Sequence, residues 1–340
     1  MARQRLEQAR DNVCQLISGI LPEGVCFTSG GTEGNNAVLS AMNDHGPATL
    51  ITSKVEHPSV LRPAEAFERR GGRVIFLDVS REGLIKPHDV ERVARSVSGP
   101  ITLSVQWANS ETGVLQPIPE LVAAARSVRN AVFVHSDIAQ AVGRVRIDLD
   151  GAAVDVATFS GHKLHGPPGT GALIFRDPED PRFRPLLLGG GQERGFRAGT
   201  QNLPGVVGLG VAARLRADTF AASVAHMRGL RDEFEGLLST YIPGIRVNGS
   251  GAPRVPNTTN VLFAGVEAMA LVARLDGEGI ACSLGSACSS GKPEPSHVLT
   301  AMGLSEKEAF SSVRFSFSVM NTKEEVRRAA RVIANKVRTM

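Results

Sequence analysis

The chain has 340 residues, 42% of them hydrophobic and 21% charged, with a net charge of +4. That length accommodates two domains, or one large α/β unit with an appendage, in an ordinary water-soluble composition. No apolar run has the length of a membrane span, no apolar h-region follows Met1, and no long basic run marks a nucleic-acid groove. Four cysteines are too few for a disulfide scaffold and their spacing is no zinc pattern, so we expect no metal and a reducing cytoplasm.

In chain order, Leu6, Val13, Leu16, Ile17 and Ile20 predict an amphipathic helix over the first twenty residues. Short runs rich in β-branched residues follow: Val25–Thr28, Thr49–Thr52, Val74–Val79, Ile101–Gln106, Ala131–His135, Val154–Phe159 and Ala172–Phe175. Helical patterns lie between several of them, at Glu33–Met42, Val60–Arg70, His88–Ser96 and Ile118–Arg129. That alternation predicts an α/β fold with a mostly parallel sheet. After Gly205 one long helix is expected from Val206 to about Leu238, then a strand at Asn260–Phe263 in a smaller α+β domain. The last helix opens with the capping-box pair Thr322 and Glu325. The expected domains are 1–217 and 218–340.

Ligands of open α/β sheets sit beyond the carboxyl ends of the strands, and polar clusters follow five of these strands. Ser29-Gly30-Gly31-Thr32-Glu33 opens a helix, where Gly31 and Thr32 suit a phosphate. Glu56-His57-Pro58, Asn109-Ser110-Glu111-Thr112-Gly113, Asp137 with Gln140, and Ser160-Gly161-His162-Lys163 follow the others. Each alone reads as an ordinary turn. Together they hold a chemical logic: a lysine to bind an aldehyde cofactor, an aspartate for a pyridinium nitrogen, and hydroxyls and N–H groups for a phosphate. Lys163 is also one of only seven lysines.

Gly166-Pro167-Pro168-Gly169-Thr170-Gly171 mimics the start of a P-loop. Ala172 and Leu173 then stand where lysine and Ser/Thr are needed, and a strand follows instead of a helix, so nucleotide hydrolysis is rejected. Gly189–Thr200, taken alone, is a flexible Gly-rich loop. Cys288 lies in a stretch of small and polar residues where a thiol is accessible, whereas Cys14 and Cys26 read as core and Cys282 as structural.

In this order, Thr28–Glu33, Glu56-His57, Ala108–Gly113, Asp137 with Gln140, Ser160–Lys163, Gly189–Thr200, Gly285-Ser286-Ala287-Cys288 and Val313-Arg314-Phe315-Ser316 resemble the cysteine desulfurases. These are fold-type-I enzymes of the class V aminotransferase superfamily that use pyridoxal phosphate (PLP). The resemblance implies an aspartate-aminotransferase-like large domain with a mostly parallel sheet, plus the smaller C-terminal α+β domain. It further implies that Lys163 links covalently to the cofactor, Asp137 pairs with its ring nitrogen, and Gln140 and Ser110 lie at its phenolic oxygen. His57 stacks on the ring and moves protons, while Gly31, Thr32, Ser160 and His162 hold the phosphate. Thr200 reaches the phosphate of a neighbouring subunit, which implies a homodimer with shared active sites. Arg314 grips the substrate carboxylate, with Asn109 beside it. Cys288, in the subgroup with an extended loop, takes sulfur from L-cysteine, leaving L-alanine and a persulfide destined for an acceptor protein. Two departures from the family pattern stand out. Ser110 replaces an asparagine, and the strand and Asp-Asn-Ala-Ala-Thr-Thr-type turn expected before the first helix are missing. The alternatives implied are a selenocysteine lyase and a shortened, non-catalytic binding paralogue.

Overall fold

The computed structural model describes residues 1–41, 48–129, 131–284 and 294–340, and these divide into two units. The first comprises 1–78, 85–108 and 116–220, and the second 79–84, 109–115 and 221–340.

In the first unit α1 (Ala2–Cys14) leads to β1 (Ile17–Ser18) and β2 (Val25–Thr28). Then come α2 (Gly31–Ala41), β3 (Thr49–Ser53), α3 (Pro58–Arg69), β4 (Arg73–Leu77), α4 (Pro87–Ser96) and β5 (Ile101–Ser104). They are followed by α5 (Ile118–Val128), β6 (Val132–Asp137), β7 (Ile147–Asp148), β8 (Val156–Ser160), β9 (Gly171–Phe175) and α6 (Leu203–Asp218). Seven strands form one sheet in the order β2-β9-β8-β6-β5-β3-β4, and β9 alone runs against its neighbours. β3 and β5 are buried along their whole length and β6 and β8 at all but one position, so both faces of this sheet are covered, and apolar residues fall at successive positions in β3 (Leu50-Ile51) and β6 (Val132-Phe133-Val134). The expected α/β architecture with a mostly parallel sheet is what forms. Thr28, Ser53, Ser104, Asp137 and Ser160 therefore end their strands at one edge, where Gly171 begins antiparallel β9 opposite both Thr28 and Ser160.

Two helix expectations need correction. The first helix stops at Cys14, and Ile17–Ser18 pairs with β7. The apolar residues at 16 and 17 belong to that strand and its approach, so their spacing mimics helical periodicity. The long helix expected from Val206 is two helices, α6 and α7 (Phe220–Tyr241), divided at Thr219. The Thr219 hydroxyl donates back to the Leu215 carbonyl, a local bond that competes with helix continuation. Cys14 is half-buried, not a core residue, because it sits in the last turn of α1.

The second unit takes the remainder of α7, then β10 (Arg246–Val247), β11 (Thr258–Leu262), α8 (Ala268–Asp276), α9 (His297–Ala301), α10 (Glu306–Ala309), β12 (Ser312–Ser316) and α11 (Lys323–Arg338). An antiparallel sheet β10-β11-β12 packs Val261, Val313 and Phe315 against Phe234, Leu271 and Ile333. The capping box at Thr322 and Glu325 is formed. No helix among the described residues is long and apolar enough to cross a membrane.

Candidate active site

The sheet edge of the first unit gathers most of the expected site. Asp137, at the last position of β6, is buried, and its two oxygens are separately held. Oδ1 accepts from the Ala139 N–H at 2.9 Å and Oδ2 from Asn35 Nδ2 at 2.8 Å. His57 caps α3, with Nδ1 accepting from the Ser59 N–H at 3.1 Å and lying 2.7 Å from the Ser59 hydroxyl. The ring is thereby held by one of its nitrogens while the residue stays exposed. Gln140 is half-buried one turn beyond Asp137, and its carbonyl accepts from Arg144.

Lys163 lies on a single 3₁₀ turn, Gly161–Leu164, that leaves β8 directly. His165, at φ 64°, ends that turn, and the Lys163 carbonyl accepts from Arg144 at 3.1 Å. The side chain of Lys163 is half-buried beside exposed His162. Burial, aided by the Lys163 ammonium, holds the His162 imidazole below its usual range.

Opposite that turn, the Gly31 N–H donates to Ser160 Oγ at 2.8 Å. A Cβ on Gly31 would stand 3.0 Å from that hydroxyl, so glycine lets the start of α2 close on the end of β8. Thr32, exposed in the first turn of α2, completes this cradle of backbone N–H groups and hydroxyls at a helix N-terminus.

Thr200 is exposed, but the loop that carries it is firmly tied. Glu193 is buried, with both oxygens 2.9 Å from Arg10 Nη2. It also accepts from the Phe27 N–H at 2.8 Å and from Gln201 Nε2 at 3.2 Å. Arg197 forms a second tie, to Glu33 in α2, at 2.9 Å. Glu193 and Arg194 both have positive φ, 48° and 57°, a left-handed conformation that bulky residues adopt only when surrounding contacts enforce it. A flexible-loop reading of Gly189–Thr200 misses this anchor. Glu193→Ala is expected to cost about 3 kcal/mol, since it leaves the buried Arg10 guanidinium with only the half-exposed Glu7 as charge partner and takes the acceptor from the Phe27 N–H. Urea unfolding checks this, and a loss under about 1 kcal/mol would mean that the ion pair behaves like a surface one.

Asn109, Ser110 and Arg314 belong to the second unit. Asn109 Oδ1 accepts from the N–H groups of Glu111 and Thr112, both at 2.9 Å, and from the Thr112 hydroxyl at 3.1 Å, so this oxygen shapes its own turn. The turn presents the Ser110 carbonyl to Arg314 Nη1 at 3.0 Å. Arg314 exchanges backbone hydrogen bonds with Ser283, and its buried Nε has no acceptor among the described residues. That donor suits an anionic ligand. Glu111 is buried beside it, with Ser296 donating at 2.5 Å, and burial raises its carboxyl.

Cys288 falls within 285–293, outside the described residues. Burial pushes the thiols of Cys14 and Cys282 up to about 11 and that of Cys26 higher still, so none of these three is a ready thiolate.

Asn35, Ser59 and Thr158 are polar members of the first unit that motif reading passed over, and Glu193 was read only as part of its Gly-rich loop. One signal was available for Asn35: the pair Asn35-Asn36 interrupts a helix with poor helix formers.

The aminotransferase class-V family model matches residues 1–329. The chain is 42% identical over 328 residues to a cysteine desulfurase of Nostoc sp., covering 96% of this chain and 80% of that protein. It is 40% identical to the cysteine desulfurase IscS of Anaeromyxobacter sp., covering 100% and 83%. Among solved structures, a NifS-like protein superposes with a TM-score of 0.90 at 31% identity, covering 100% of this chain and 89% of that one. DndA from Streptomyces lividans gives 0.79 at 32%, covering 93% and 88%.

Proposed function

The chain belongs to the class-V aminotransferase family, in its cysteine desulfurase branch, and on that premise we propose that it binds pyridoxal phosphate and moves sulfur from L-cysteine to its own Cys288. The observation that carries the proposal is the meeting, at one sheet edge, of the Asp137 carboxylate, the Lys163 turn and the Gly31–Ser160 cradle. These residues fit the cofactor: a carboxylate for its ring nitrogen, a primary amine for its aldehyde, and a helix N-terminus with hydroxyls for its phosphate. Thr32, Ser160 and His162 would hold the phosphate, Gln140 and Ser110 the phenolic oxygen, and His57 the ring face. When bound, the cofactor supplies an electron sink for charge developing at the substrate α-carbon.

The rest is work for the chain's own groups. Arg314 takes the substrate carboxylate, using the Nε donor that the Ser110 carbonyl leaves over, with Asn109 holding the turn behind it. The Lys163 amine removes the α-proton and returns a proton to the product. The Cys288 thiolate attacks the cysteine sulfur: an S–S bond forms, the C–S bond breaks with its electron pair left to the substrate carbon, the β-carbon takes up the proton given off by the substrate thiol, and L-alanine leaves while the persulfide stays on Cys288. The persulfide then passes to an acceptor protein. We further propose a cytoplasmic homodimer in which Thr200 of each protomer serves the other's phosphate site.

The test is to add L-cysteine to PLP-loaded protein and measure alanine and, with a thiol reductant, sulfide. Equal yields of the two, both dependent on the cofactor, are expected. A cofactor-loaded protein that turns over no cysteine would refute the proposal.

A further inference from the structure

A continuous hydrogen-bonded chain runs under the sheet edge, wholly within the first unit. The Ser104 hydroxyl lies 2.9 Å from His135 Nδ1, and His135 Nε2 lies 3.3 Å from Thr158 Oγ1. Thr158 Oγ1 donates to Asn35 Oδ1, and Asn35 Nδ2 donates to Asp137 Oδ2 and Ser59 Oγ, each at 2.8 Å. Ser59 Oγ stands 2.7 Å from His57 Nδ1. Ser104, His135, Thr158, Asn35 and Ser59 are all buried, with Asn35 and Thr158 at 0% exposure.

The bond directions from Asp137 to Ser104 follow from one fact. The Asp137 carboxylate only accepts, so Asn35 must turn its NH₂ toward it and its Oδ1 toward Thr158. Thr158 then spends its only proton on Asn35 and must accept from His135, which puts that ring's proton on Nε2. His135 Nδ1 is left to accept from Ser104. This matches a neutral ring, whose titration burial pushes down to about 3. On the other branch, the second Asn35 N–H occupies a lone pair of Ser59 Oγ. The Ser59 N–H donates to His57 Nδ1, which makes that nitrogen an acceptor, so the Ser59 hydroxyl proton must point to it as well.

We propose that Asn35 is a positioning residue that, oriented by the Thr158–His135–Ser104 relay, orders the Asp137 carboxylate and turns the Ser59 hydroxyl proton onto His57 Nδ1. His57 is then the Nε2–H tautomer, with its proton on the nitrogen not engaged by Ser59. The significance for catalysis rests on the roles proposed above for Asp137 and His57, but the tautomers do not. Buried networks of this kind act as a unit, so removing one member disturbs all of it.

The test is long-range ¹H–¹⁵N spectroscopy of the histidine rings in labelled protein, with PLP bound and removed. His57 and His135 are assigned by His57→Gln and His135→Gln. Both rings should be single Nε2–H tautomers. Asn35→Ala, and separately Thr158→Val as a gentler break in the relay, should turn His57 into a tautomer mixture. With Asn35→Ala, kcat for cysteine should fall about 10-fold while KM changes less than about twofold, as for misplacement of a reacting group. An Nδ1–H ring at His57 in the parent, or an unaltered His57 spectrum in both folded variants, would overturn the relay. Correct tautomers in a protein that turns over no cysteine would sink the desulfurase proposal and leave the relay standing.

Discussion

Lys163→Ala is expected to lower kcat for cysteine desulfuration by at least ~10³-fold, within the range of a lost general acid–base group. The 3₁₀ turn holding Lys163 is fastened by Gly161 N–H to the Thr170 carbonyl at 2.8 Å, by Gly166 N–H to the Gly161 carbonyl at 3.0 Å, and by Arg144 to Lys163 itself. None of these bonds uses the lysine side chain, so the variant should fold normally and retain the Gly31–Ser160 cradle. PLP should then bind without the covalent link and wash out on desalting. Steady-state assays with the absorption spectrum after gel filtration check this. A variant within tenfold of the parent would show that another amine moves the α-proton.

The second large effect concerns Cys288→Ser. Serine cannot store sulfur as a persulfide, so cysteine-dependent sulfide and alanine should both fall by at least about 10²-fold, while PLP binding is unchanged. The other cysteines supply the control. Cys282 packs against the second unit's apolar core, where burial pushes its thiol up to about 11. A group held that far above neutrality is a poor nucleophile at physiological pH. Cys282→Ser should therefore keep near-parental sulfide release. Equal losses in both variants would point to a shared redox pair instead of a single nucleophile.

Much of this was legible in the sequence because strands buried on both faces leave short runs of apolar and β-branched residues. Val25–Thr28 coincides with β2, and the run starting at Thr49 ends one residue short of β3. Motifs at strand ends such as Asp137 and Ser160 could be read for the same reason, since the fold itself sends them to one edge. Illegible residues act across long separations. Asn35 meets Asp137 102 positions away, and Glu193 meets Arg10 183 positions away. Neither pairing leaves a periodic trace. The division at Thr219 was hidden because apolar residues continue on both sides of it. The turn at Asn109 was visible as polar, but only the folded chain reveals Oδ1 directed at its own backbone.

Sulfur transfer to Cys288 is tested most directly by one turnover with a single equivalent of L-cysteine, followed by peptide mass analysis and alanine quantification. One added sulfur on the Cys288 peptide is expected, matched by one alanine per sulfur. Alanine formed without sulfur on Cys288, or sulfur found on Cys14, Cys26 or Cys282 instead, would contradict it.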